Sequence, residues 1–224
     1  MKKKMTSIII PIFNLPALTL KCIQGIRKWT AEPYELILID NGSEPGLESF
    51  LRHDRGLRLI RNRENRGFSR ACNQGIRMAR GDRYLLLNND TVITPHWLEN
   101  LCRSLESDSC TGLVGPLTNG VANPLQRLEC KAKTVEEIEA FGLEHNRPHP
   151  GRWFQIPFLS GFCLLIAREV IQEVGLLEEG FGLALQEDYD LCLRARRAGF
   201  KTICAGDTFV YHYYLNPAEK ASLM

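Results

Sequence analysis

Three polar clusters, each beside an apolar run, hold the side chains best suited to chemistry in this 224-residue chain. The first is Asp40-Asn41-Gly42-Ser43, directly after Glu35-Leu36-Ile37-Leu38-Ile39. A carboxylate there can accept hydrogen bonds from a base or a ribose while the glycine lets the backbone turn closely; the same four residues also make an ordinary Asx turn. The second is Asn88-Asn89-Asp90-Thr91, one carboxylate and two amides after Tyr84-Leu85-Leu86-Leu87. A hard divalent cation that keeps several waters and grips a diphosphate needs only one or two protein carboxylates, so Asp90 can suffice, although a turn before a capped helix also fits. The third is Gln186-Glu187-Asp188-Tyr189-Asp190, three acids in five residues at a helix start, where the dipole favours negative charge. Capping accounts for one or two of them, and a carboxylate so placed can also serve as general base toward a hydroxyl within hydrogen-bond reach. His212, among Tyr211, Tyr213 and Tyr214, fits either a packed, hydrogen-bonded residue or a ligand. From Arg52 to Arg83 stand ten arginines against Asp54, Glu64 and Asp82; most belong to a solvated helix face, and Arg66 or Arg70 can meet a phosphate.

The elements that must position these groups alternate. Ser7-Ile8-Ile9-Ile10-Pro11-Ile12-Phe13 is an apolar run of the kind buried on both faces of a parallel sheet. A helix follows: Asn14 can cap it, Pro16 suits its first turn, and Leu18, Cys22, Ile26 and Trp29 make one stripe. Glu35–Asp40 is the second strand of a βαβ unit. Leu57–Ile60 is a third strand, and Phe68, Ala71, Cys72, Gly75, Ile76 and Ala79 mark a helix with a small-residue face, stopped by Gly81. Tyr84–Leu87 is a fourth strand; Thr94-Pro95 opens a helix with Trp97, Leu98, Leu101 and Leu105 inward; Leu113-Val114 is a short strand. Prolines at 116, 124, 148, 150 and 157 mark an irregular excursion in which only 135–141 looks helical. Beyond it come a strand over 162–167, helices over 168–175 and 188–198, and strands near 201–205 and 209–213. Such alternation predicts an α/β sheet of the nucleotide-binding kind, with ligands beyond the carboxyl ends of its strands.

Composition narrows the function classes. With 28 Lys+Arg against 26 Asp+Glu the formal charge is +2, which gives no reason to expect nucleic acid as a partner. Eight cysteines with no C-x-x-C read as reduced core thiols and speak against structural zinc. Lys2, Lys3 and Lys4 precede too short an apolar run for a signal peptide. The longest apolar run, Phe162–Ala167, is far short of the roughly 20 residues a transmembrane helix takes. The expected location is cytoplasmic, with any membrane role confined to peripheral association, at the inner face.

Taken in order, these segments resemble the family 2 glycosyltransferases, from about Ser7 to His212 and weakest between Pro116 and Pro157. Ser7–Asn14 is similar to that family's opening strand, and Ile39–Ser43 to its nucleoside-binding turn. Asn65-Arg66-Gly67-Phe68-Ser69-Arg70-Ala71-Cys72-Asn73-Gln74-Gly75 resembles its N-x-G-F-x-x-A-x-N-x-G helix start. Asn88-Asn89-Asp90 stands where the family has D-x-D, Gly161–Ala167 resembles its acceptor-side strand, and Glu187–Arg194 resembles its E-D-x-D-L-x-x-R helix.

The resemblance implies a GT-A fold: one Rossmann-like, mostly parallel central sheet flanked by helices, with a small acceptor-side subregion. The chain 1–224 would form a single domain, with 1–115 the donor-binding half and 116–224 the acceptor-binding and catalytic-base half. Asp40 would hold the nucleobase of a nucleoside-diphosphate-sugar, UDP or dTDP ahead of GDP, with Pro11, Phe13, Asn14, Gly67, Arg70, Asn73, Asn88 and Asn89 also on the donor side. Asp90 would bind a divalent metal, Mn2+ or Mg2+, with His212 as a further metal or phosphate contact. Asp188 would deprotonate a hydroxyl of a glycan or lipid-linked acceptor, with Glu187 the next candidate. The implied reaction is a metal-dependent, inverting transfer in cell-surface polysaccharide or glycoconjugate synthesis. Asn88 in place of the first acid of D-x-D removes one negative charge from the metal shell. With the twelve residues that follow His212, it makes a non-catalytic nucleotide-sugar-binding or scaffold subunit the competing reading. A nucleotidyltransferase would need a glycine-rich basic loop where Asn14-Leu15-Pro16-Ala17 stands. Acceptor choice is expected in the irregular 116–157 segment, where Trp153 and Phe154 either stack on a sugar or belong to the core.

Overall fold

The computed structural model describes residues 4–44, 56–181 and 186–214; the apolar 182–185 stretch, Arg52 and Arg55 lie outside them. Strand β1 (Thr6–Ile12) is buried along almost its whole length, as its unbroken isoleucine run requires. It is the centre of a parallel group with β2 (Tyr34–Asp40), β3 (Arg58–Arg61) and β4 (Arg83–Leu87), in the order β3-β2-β1-β4. Since β2 lies on one side of β1 and β4 on the other, the strand order reverses at β1. That reversal opens a crevice beyond the carboxyl ends, the place where doubly wound sheets bind ligands. Helix α1 (Pro16–Trp29) connects β1 to β2, and α2 (Phe68–Met78) precedes β4. Gly75 of α2 sits directly on Ile9: a Cβ there would lie 2.3 Å from Ile9 Cγ2, so only glycine permits this helix-to-sheet distance.

With β6 (Thr111–Leu117), β7 (Trp153–Gln155), β8 (Cys163–Ala167) and β9 (Lys201–Phe209), the second half completes an eight-stranded sheet, β3-β2-β1-β4-β8-β6-β9-β7. Helix α3 (Trp97–Glu106) leads into β6 (Thr111–Leu117), which pairs parallel with β9 (Lys201–Phe209). Strand β8 (Cys163–Ala167) is inserted between β4 and β6 and runs antiparallel to both. Because of that reversal, its amino end meets the carboxyl end of β4: Leu87 pairs with Cys163, and Asn88 N–H donates to Phe162 O at 2.8 Å. The loop before β8 is thereby delivered to the ligand edge of the sheet. Helix α5 (Arg168–Val174) follows β8, and α6 (Glu187–Arg197) precedes β9.

Several expectations need correction. Asn14 does not cap α1: the cap position is Leu15, without a side-chain bond, and Asn14 and Leu15 both lie in left-handed backbone at φ 59° and 58°. The strand expected near 201–205 runs on to Phe209 as β9, and the one expected near 209–213 is the two-residue β10 (Tyr211–His212). The intervening Gly206-Asp207-Thr208 is absorbed as a bulge, since the register with β6 jumps from Pro116↔Ala205 to Leu117↔Phe209. Asp207, fully buried there, accepts from Trp153 Nε1 at 2.8 Å and His149 N at 2.9 Å, partners no local pattern reveals. The excursion holds more order than expected. Helix α4 runs Val135–His145 behind a reciprocal Thr134/Glu137 capping box, a T-x-x-E signal present in the sequence. Strand β7 (Trp153–Gln155) pairs antiparallel with β9 at the sheet edge. A separate ribbon joins β5 (Thr91–Val92) to β10.

Candidate active site

At the donor end, β1 and β2 finish side by side and three loops lock together. Asp40 closes β2 fully buried, its Oδ1 accepting from Ser43 N at 2.9 Å and its Oδ2 facing Arg61 Nη1 at 3.5 Å. Oδ2 is buried without a hydrogen bond, which leaves an acceptor ready for an N–H donor. Asn14 ties the strand ends: its N–H donates to Ser43 Oγ, its Oδ1 accepts from Glu44 N, and its carbonyl accepts from Asn89 Nδ2. Left-handed backbone costs a non-glycine residue about 1–2 kcal/mol, and these bonds offset it. Phe13, next to it, is 47% exposed, and Pro11 lies within β1 opposite Ile39.

A second tie runs from Asn41 to the start of α2. Asn41 Nδ2 donates to Asn65 Oδ1 and to Gly67 O, and its Oδ1 accepts from Asn62 Nδ2. Gly67 begins α2 at φ 84° and donates to Asn65 Oδ1. Asn73 and Arg70 point another way. Asn73 is buried with both ends of its amide engaged, by Leu177 O, Leu177 N and Glu179 Oε1. Arg70 faces Glu179 at 3.4 Å. Asn89 Nδ2 likewise turns inward, to Thr19 Oγ1 at 2.9 Å.

Beyond the carboxyl end of β4, the β5–β10 ribbon carries His212 onto the loop of Asn88 and Asp90. His212 Nδ1 lies 2.9 Å from Gly120 O. A carbonyl only accepts, so Nδ1 bears a proton, and in the neutral tautomer that this bond selects the Nε2 lone pair points the other way. It points at Asp90 Oδ1, 3.1 Å away, with Asn88 Nδ2 at 3.3 Å. Two lone pairs facing each other attract a shared cation, and a histidine whose far nitrogen is held by a carbonyl is the usual arrangement of a metal ligand. Both residues are about 95% or more buried. The donor chemistry therefore fits a divalent cation held by Asp90 and His212, although no group of three or more His, Cys, Asp or Glu gathers among the described residues. Asn119 clamps the His212 backbone from both sides, and Phe162 stacks on the imidazole at 4.9 Å.

A cleft of about 500 Å³ opens on this face, lined by Asn88, Glu187, Asp188 and His212 together with Phe68, Phe158, Phe162, Tyr189 and Tyr214. Asp188 stands in the first turn of α6, half-buried, its Oδ2 accepting from Gly161 N at 2.8 Å and its Oδ1 from Tyr189 N. Glu187 is buried and turns back to its own helix start, accepting from Gln186 N. Cysteines surround the site without offering a nucleophile. Burial pushes the thiols of Cys22, which touches Thr91, and Cys192, near Asp188, up to about 12. All eight cysteines are free thiols. Trp153 and Phe154 are on β7 at the sheet edge and do not line the cleft. The residues that reasoning from sequence missed are Asn119, Gly120 and Phe162, which orient His212, and Phe158, which lines the cleft. The first three act through contacts 50 to 93 positions away in the chain, and no local pattern marks any of the four.

Known proteins bear on this arrangement at three levels. A family model described as Glycosyl transferase family 2 matches residues 7–175. The chain belongs to glycosyl transferase family 2. Within the family it is 24% identical over 120 residues to glycosyltransferase GlyG of Streptococcus pneumoniae serotype 4, covering 52% of this chain and 40% of that protein. It is 34% identical over 118 residues to the hyaluronan synthase of Pasteurella multocida, covering 49% of this chain and 12% of the synthase. The chain thus spans well under half the length of these curated relatives. Among solved structures it is similar to GalNAc-T7 with UDP, GalNAc and Mn2+, at TM-score 0.73 and 18% identity, covering 94% of this chain and 44% of that one. It is also similar to the mannosyltransferase PcManGT of Pyrobaculum calidifontis with GDP-Man and Mn2+, at TM-score 0.68 and 19% identity, covering 99% and 60%. At that identity the two likenesses establish the family's GT-A fold. No described helix is long and apolar enough to cross a membrane.

Proposed function

We propose that this chain is a metal-dependent, inverting glycosyltransferase that moves a sugar from a nucleoside-diphosphate donor to an acceptor hydroxyl, in polysaccharide or glycoconjugate synthesis. The observation that carries the reading is one cleft bordered by both the Asp90–His212 pair, through His212, and the Asp188 carboxylate. Residues 1–115 form the donor half, with Asp40 and Asn14 at the nucleobase and Phe13 and Pro11 beside it. Residues 116–224 supply the acceptor side and the base, in a single domain. Asp90 and His212 would hold Mn2+ or Mg2+, which when bound supplies positive charge against the leaving diphosphate.

The protein's own part is positioning and proton transfer. Gly161 N–H anchors one oxygen of Asp188 and fixes the carboxylate at the cleft wall. An acceptor hydroxyl within hydrogen-bond reach gives its proton to Asp188 as its oxygen bonds to the anomeric carbon. The bond from that carbon to the diphosphate oxygen breaks on the opposite face, so the configuration inverts. Glu187 is buried and accepts from Gln186 N, which makes it a neighbouring carboxyl group rather than the base. Support for the donor class comes from the two solved neighbours, one holding UDP and the other GDP-Man.

The test is turnover of a UDP-, dTDP- and GDP-sugar panel with and without Mn2+, with the anomeric configuration of the product followed by proton NMR. Metal-dependent release of nucleotide with inversion supports the reading. Binding of donor without turnover under either condition favours a non-catalytic subunit.

A further inference from the structure

The acceptor side of the cleft has a composition that the transfer reaction alone does not demand. Its outer wall is aromatic: Tyr189 is 50% exposed and Tyr214 53%, and Phe158 meets the Tyr189 ring edge-on at 5.4 Å and 64°. Tyr189 directly follows the proposed base, Asp188. Ser160 and Gln186 line the same cleft. Among the described lining residues there is no lysine or arginine, and the charged groups on this side are the acids Glu187 and Asp188.

Such a wall selects by chemistry. An acceptor whose reacting end is a phosphate would bring its dianion toward the Asp188 carboxylate, in a described lining that offers no lysine or arginine to pair it, while the proposed cation at Asp90 and His212 is taken up by the donor diphosphate; that approach is repulsive. A pyranose ring has what the wall wants: an apolar C–H face to lie on an exposed aromatic ring, and hydroxyls around its edge for amides and hydroxyls. The platform is also held in place before any ligand arrives. Asn123 Nδ2 donates to Phe158 O at 2.8 Å, and Gln126 Oε1 accepts from Ser160 N at 2.8 Å, so the loop before β8 is pinned at both ends.

We infer that the acceptor is an uncharged saccharide whose terminal ring lies on Tyr189, backed by Phe158, with its reactive hydroxyl at Asp188. The inference rests on the glycosyl-transfer reading and narrows its acceptor to neutral glycans, excluding lipid phosphates as the reacting group. Tyr189 is then the specificity residue, and Phe158 positions it.

The experiment uses saturation-transfer NMR on the full chain with a panel of neutral methyl glycosides of glucose, galactose, mannose and N-acetylglucosamine, and with farnesyl phosphate as the charged probe. At least one glycoside should bind and farnesyl phosphate should not. Tyr189→Ala should weaken that glycoside about tenfold, and Tyr189→Phe should keep most of the affinity, since the ring and not the hydroxyl forms the platform. Farnesyl phosphate binding in place of every glycoside, no glycoside binding at all, or equal glycoside affinity in Tyr189→Ala overturns the inference. Donor hydrolysis by the unaltered chain, measured in parallel, reports on glycosyl transfer separately: its absence with every donor counts against the parent reading even where glycosides bind.

Discussion

His212 Nε2 lies 3.1 Å from Asp90 Oδ1, although 122 positions separate the two residues in the chain. The β5–β10 pairing, with His212 opposite Thr91, creates this contact. Gly120 O sets its chemical sense by holding the proton on Nδ1.

That relationship predicts a metal phenotype with two grades. Asp90→Ala and His212→Ala should each weaken Mn2+-dependent donor binding by on the order of 100-fold. Asn119→Ala, which loosens only the backbone clamp on His212, should raise the Mn2+ requirement about tenfold while leaving turnover at saturating Mn2+ largely intact. Calorimetric titration of donor at several Mn2+ concentrations checks both, and equal Mn2+ dependence in all three variants refutes the assignment.

Asp188→Asn should reduce turnover by about 10²- to 10⁴-fold, the range of general-base catalysis. The amide oxygen can still accept from Gly161 N, so the loop stays in place and donor affinity should change little. Comparing donor dissociation constant with nucleotide release separates the two effects; undiminished release in this variant would remove Asp188 from its proposed role.

Gly75→Ala tests the packing of α2 on β1. Alanine favours a helix by about 1 kcal/mol over glycine, but its Cβ would lie 2.3 Å from Ile9 Cγ2 in a fully buried core. Overpacking costs about 1–3 kcal/mol, and with a clash this close at the upper end of that range the net loss is about 1–2 kcal/mol, so the melting temperature should fall by roughly 2–8 °C. Calorimetry decides, and an unchanged or higher melting temperature contradicts the close contact.

The buried thiols predict an alkaline limit. Burial raises Cys22, Cys102 and Cys192 from the ordinary 9.0 to about 12. Above pH 9 the unfolded chain releases these protons while the folded chain keeps them, so stability falls as pH rises from about 9 toward 12 and is complete below 9. Denaturant midpoints across that range should decline monotonically. At pH 8 iodoacetamide should modify exposed Cys110 first and spare the buried six; mass spectrometry reads the order.

Much of the donor half is legible along the chain, and for a clear reason. β1, α1, β2, α2 and β4 are each specified by residues within one element, through an isoleucine run, a four-four-three stripe or a small-residue helix face, and parallel strands separated by helices admit few arrangements. Asp40 at the end of β2 follows from that local grammar. Asn14 does not: it is read as a helix cap, whereas its bonds go to Ser43, Glu44 and Asn89 on other loops, and a window around one helix start contains none of those partners. The same holds for Asn73, whose motif position suggests the donor but whose amide is taken by Leu177 and Glu179.

The sequence by itself determined which residues could do chemistry and the alternating order that makes a parallel sheet, because side-chain periodicity is a short-range property. Only the tertiary structure decided which of those residues meet. The antiparallel insertion of β8 beside β4, and the folding back of β10 onto β5, bring Asn88, Asp90, Asp188 and His212 to one edge. Strand direction and partner choice depend on burying whole faces against distant segments, and that free energy is not encoded in any one window of the chain.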